Sequence, residues 1–130
     1  MGWQLGKAQL AAERKRLAGS LMEEVGINEK NLADSVPLVS KAYELVKSAD
    51  QLKFFEPEMA RRVILTYEKI VTINDALTKY QAFRDKSAGT PGFDTKNREF
   101  EQFISWYRLD LGTALEGLRT SFDRVLNEKI

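Results

Sequence analysis

The sequence predicts an all-α protein, an antiparallel up-down-up-down four-helix bundle with a long first helix, on three observations. Apolar residues recur three and four apart through most of the chain, which is the spacing of one buried helical face. The three prolines, Pro37, Pro57 and Pro91, fall between those periodic stretches rather than inside them. No stretch alternates apolar and polar residues with the two-residue period of a strand.

The first helix is read from Leu10, Leu17, Leu21 and Val25 through Asn28 and Leu32 to Val36. Its phase survives Gly26, and a mid-helix glycine costs only about 1 kcal/mol against alanine. Pro37 is the stronger breaker, because it disfavours helical geometry at the residue before it and cannot donate to the ladder. The turn is therefore expected at Ser35 to Pro37, with Ser35 capping the next helix. That second helix carries Leu38, Ala42, Leu45, Ala49 and Leu52 on one face. Pro57 then takes the first position of a third helix, whose seam is Val63, Tyr67, Ile70, Asn74, Leu77 and Gln81 and which runs to about Lys86. The glycines and proline of Ser87 to Asp94 mark a loop, with Asp94 or Thr95 as the cap of the fourth helix. The fourth has the most regular stripe, from Phe100, Ile104 and Tyr107 to Phe122 and Val125.

Short connections make antiparallel neighbours the economical topology. At 1.5 Å per residue the first helix would span about 45 Å and the second about 27 Å, so residues 3 to about 16 are expected to overhang. At the other end the tip of the third and fourth helices should project past the first turn. The 130 residues fit a single domain, 1–130, and the Met1-Gly2 start running straight into amphipathic helix reads as a domain cut from a longer chain.

Composition removes several chemistries. With no cysteine there is no thiolate metal site or cysteine nucleophile, and with no histidine the commonest general base and metal ligand are both missing. Glu23-Glu24 and the Glu99/Glu101 pair lack the Glu-x-x-His partner of di-iron bundles and read as solvated faces. Phosphate-binding glycine loops are absent too. The expectation is a protein without enzyme activity, metal, cofactor or small-molecule ligand.

Lys and Arg number 20 against 19 Asp and Glu, so no net field gathers a polyanion, and the basic clusters at Glu13–Leu17 and Ala60–Arg62 do not form one stripe. Nucleic acid is not expected as a partner; a small nucleic-acid-associated helical protein is nonetheless the alternative reading. Asn28 and Asn74 lie on apolar stripes, at similar heights, where a buried amide fixes register by demanding a partner. Leu65 among cations and Trp106 beside Arg108 fit no seam and are candidate contacts for another chain, the alternative being a dimer in which the overhanging first helix pairs with its counterpart. In the overhang, Trp3 followed by Lys7, Arg14, Lys15 and Arg16 has the aromatic-then-cationic order that flanks a membrane span on its cytoplasmic side. These features together predict a non-enzymatic interaction or structural module. It would be the soluble, cytoplasmic part of a membrane-anchored prokaryotic-type protein.

Overall fold

The computed structural model describes residues 6–128. Among them there are four α-helices and no strand: α1 (Lys7–Ala33), α2 (Lys41–Ser48), α3 (Pro57–Ser87) and α4 (Phe93–Leu126), with a single 3-10 turn at Leu52–Phe54. None of the helices is long and apolar enough to cross a membrane.

α1 passes Gly26 unbroken. A methyl group there would stand 3.9 Å from Arg119, an ordinary contact, so packing does not demand the glycine. Continuity comes instead from burying Leu21, Val25 and Asn28 on both sides of it, which outweighs its propensity cost. The helix ends where Ser35 takes a left-handed φ of 58°. There the Val36 N–H reaches back to the Asn31 carbonyl at 2.9 Å and the Ser35 N–H to Leu32 at 3.3 Å, closing the last turn as a Schellman motif does. α2 ends the same way, on Asp50 at φ 55°, with the Gln51 N–H on the Val46 carbonyl. In α3, Pro57 occupies the first turn as expected. α4 starts at Phe93, with Gly92 in the capping position at φ 79°. The cap thus falls before Asp94 and Thr95, because the left-handed turn is made by glycine.

The second helix differs most from expectation. Residues 36–40 lie outside any helix, and only eight residues form α2. Its buried face is Tyr43 and Val46, while Leu45 is 65% exposed. Starting the helix at Lys41 instead of near Leu38 rotates the face that meets the core. The length outlier is therefore α2, since α1 at 27 residues is shorter than α3 at 31 and α4 at 34.

α4 packs along both α1 and α3. From α3, Arg62 meets Ser121, Lys69 meets Asp110 and Tyr80 meets Phe100; from α1, Lys15 meets the Glu128 carbonyl, Glu29 meets Arg119 and Leu32 meets Arg108. The core between them holds Leu17, Leu21, Val63, Ile73, Leu115 and Phe122, all fully buried. Each is worth about 1.5–3 kcal/mol of burial. Beyond the end of α1, α3 and α4 continue as a pair held by stacked rings, with Phe83 centred 5.4 Å from Phe93 and 5.0 Å from Phe100.

The expected overhang of residues 3–16 is shorter. Arg14 donates to the Phe54 carbonyl at 2.6 Å, Lys15 to the Glu128 carbonyl, and Leu17 is fully buried. The 3-10 turn and the end of α4 cover this stretch, leaving Lys7 to about Glu13 to extend past the core.

Candidate interaction surface

Two groupings collect the side chains singled out in the sequence. The first is a polar clamp on the non-helical segment 36–40. Leu38 and Val39, neighbours in this segment, turn their N–H and C=O groups toward two different helices. The Asn74 amide of α3 accepts from the Leu38 N–H at 2.8 Å and donates to the Leu38 carbonyl at 2.9 Å. The Asn28 amide of α1 does the same for Val39, at 2.7 and 2.8 Å. The two asparagines are thus brought to one place with the chain between them, each satisfying both groups of one residue.

One turn before Asn28, Glu24 is 95% buried in the same cluster, at 5% exposure. Its carboxylate accepts from the Ala42 and Tyr43 N–H groups at 2.7 and 3.3 Å, which are free donors in the first turn of α2. The Tyr67 hydroxyl donates to it at 2.6 Å. Glu24 therefore caps α2 from another helix, and the reading of Glu23-Glu24 as a solvated pair is corrected: only Glu23 is exposed. Tyr43 and Tyr67 stack above it with ring centres 4.1 Å apart. Burial drives the Tyr67 hydroxyl far above its ordinary range, with the Glu24 carboxylate adding to the effect. Burial also raises Tyr43, helped by Glu44 and Glu68. All three bonds to Glu24 go to groups of this chain, so the cluster fixes the fold. Glu24 was legible in principle, because it sits four residues before Asn28 on the same stripe.

The second grouping is on the outside. Leu65 and Trp106 line one groove of about 330 Å³ between α3 and α4, together with Thr72 and Tyr107 and the Lys69–Asp110 ion pair. Leu65 is 44% and Trp106 61% exposed. A neighbouring groove toward the helix tips, which shares Thr72 with the first, is lined by Phe103, itself half exposed. On the other flank of α3, exposed Ile64 and Val71 line a second groove against Tyr43 of α2. Sequence reading found Leu65 and Trp106 but not Ile64, Val71 or Phe103. A helical stripe alone does not tell which apolar residues a wide core will cover.

The cations divide. Lys7 is exposed, Arg16 pairs with Glu13 on the surface, and Arg14 and Lys15 are half-buried on the carbonyls named above. The Glu13 pairing holds its carboxyl below the usual range through the hydrogen bond from Arg16. Trp3 lies outside the described residues. No group of three or more acidic side chains is placed to hold a metal among the described residues.

No family model matches the chain, and neither a curated protein nor a solved structure matches it.

Proposed function

We propose that the protein is a non-enzymatic helical interaction module, an up-down-up-down bundle that presents the outer face of α3 and its groove with α4 to another protein. The supporting observation is that Leu65 and Trp106, large apolar side chains left open to water, line one groove between α3 and α4, and that exposed Phe103 lines the neighbouring groove, which shares Thr72 with it. Clustered exposed apolar residues with a charged rim are what a helix-binding surface looks like. A photoreactive amino acid in place of Leu65 or of Trp106, introduced in the native cells, should form protein adducts. The same group in place of exposed Glu116 on α4 should form none. Adducts from all three positions alike, or from none, would remove the reading.

A second reading concerns the N-terminal turns of α1. They extend past the core and carry exposed Lys7, which supports placing that end beside an anionic membrane on the cytoplasmic side. Sedimentation with vesicles containing phosphatidylserine should show binding that falls with salt and is lost in Lys7→Glu; equal binding to neutral vesicles rejects it.

A further inference from the structure

The partner best matched to the outer face of α3 is a second copy of the same face. Glu58, Arg61, Leu65, Glu68, Thr72 and Asp75 are all exposed and follow one another at helical spacing along α3. Lys79 continues the line. Ile64 and Val71 flank it toward α2, and Trp106 flanks it toward α4.

Read in the opposite direction from Glu68, the line complements itself. Two α3 helices packed antiparallel about a two-fold axis at Glu68 place Arg61 of each copy against Asp75 of the other, and Glu58 near Lys79. In the same register Ile64 faces Val71 on one side of the axis and Leu65 faces Thr72 on the other, so apolar residues flank the two Glu68 side chains that meet on the axis, and opposite charges meet at both ends. A two-fold interface requires this self-complementarity, since each contact occurs twice. Arg61 forms no ion pair among the described residues, and Asp75 is engaged only by exposed Lys79 at 2.9 Å.

We propose that the chain self-associates through α3 in this antiparallel register, with Arg61–Asp75 as the paired contact that sets it. This rests on the proposed interaction role of the α3 face and commits it to one occupant. The line from Glu58 to Lys79 is roughly 30 Å long and buries on the order of 1,000 Å² in total, the size of a weak, reversible interface.

Sedimentation of the purified chain should show a monomer–dimer equilibrium in the micromolar range. Arg61→Glu and Asp75→Arg alone each create two like-charge contacts, and each should weaken the dimer at least about tenfold. Mixing the two variants restores both contacts, so a 1:1 heterodimer should form where neither variant pairs with itself. Helix content by circular dichroism should be unchanged in both, since neither side chain is in the core. Glu68→Gln, which removes the like-charge contact on the axis, should tighten the wild-type dimer. A strict monomer at about 1 mM, or a dimer indifferent to the two reversals, or single variants that do not recombine, overturns the proposal. If a strict monomer nevertheless yields adducts with another protein from Leu65, the interaction reading stands and self-association alone fails.

Discussion

The seam between α1, α3 and α4 and the strap at residues 36–48 lie side by side but are held by different forces. In the seam, Leu17, Leu21, Val63, Leu115 and Phe122 exclude water through non-directional contact. In the strap, only Leu38, Tyr43 and Val46 are buried apolar residues, and the backbone is gripped by Asn74, Asn28 and Glu24. An apolar seam rewards any close fit, so it supplies stability while tolerating small shifts. An amide that must receive both groups of one residue tolerates none: sliding the strap by one position would leave Leu38 and Val39 with their N–H and C=O groups turned the wrong way. The polar clamp therefore sets register, and the apolar seam supplies most of the energy.

Truncation in each region is the direct way to break that contrast. Phe122→Ala removes a fully buried ring that also meets Phe55 at 6.1 Å between centres. It should cost about 3–5 kcal/mol in denaturant unfolding, with hydrogen-exchange protection falling throughout the molecule. Glu24→Ala should cost less, about 2–4 kcal/mol, because it strands two N–H groups and the Tyr67 hydroxyl in a buried place. Its signature is local: protection lost at Ala42, Tyr43 and Val46 but kept at Leu115 and Leu118. If Glu24→Ala lowers protection evenly across all helices, strap and seam are one unit and the contrast fails.

The same division explains what could be read from the sequence. α3 and α4 were legible almost residue by residue, because their stripes are long and Pro57 and Gly89–Gly92 mark their ends. α1 was legible across Gly26 for the same reason. The strap was not, since its helix is too short to show a period and its start is dictated by side chains on two other helices. The sharp ends of α1 and α2 were hidden too, as Ser35 and Asp50 take the left-handed conformation usually given to glycine, at about 1 kcal/mol each. Of the outlying residues, Leu65 and Trp106 were visible by their mismatch with a stripe. Arg14 and Lys15 looked free only because the carbonyls they bind come from distant parts of the chain.

Alkaline titration is the mildest probe and the one that isolates the clamp. The Tyr67 hydroxyl is 2% exposed as part of its residue, donates to Glu24, and is held far above the ordinary tyrosine value of 10.0 chiefly by burial. In the folded chain it therefore keeps its proton when an unfolded tyrosine would lose it. The stabilisation is complete below pH 10, and above it the unfolded state binds fewer protons than the native one, so stability must fall as pH rises. For one such group the loss from pH 10 to pH 11 is about 1 kcal/mol. Tyr67→Phe removes the titrating group while leaving the ring on Tyr43, so its denaturation midpoint should start lower than wild type but decline less over that interval. Tyr43 and Tyr80, both also raised with burial as the first cause, contribute to the decline that persists in the variant. Parallel declines in the two proteins would mean that Tyr67 ionises as freely as in the unfolded chain, and the strap would then be held by its ring stack and asparagines, without the hydroxyl bond to Glu24.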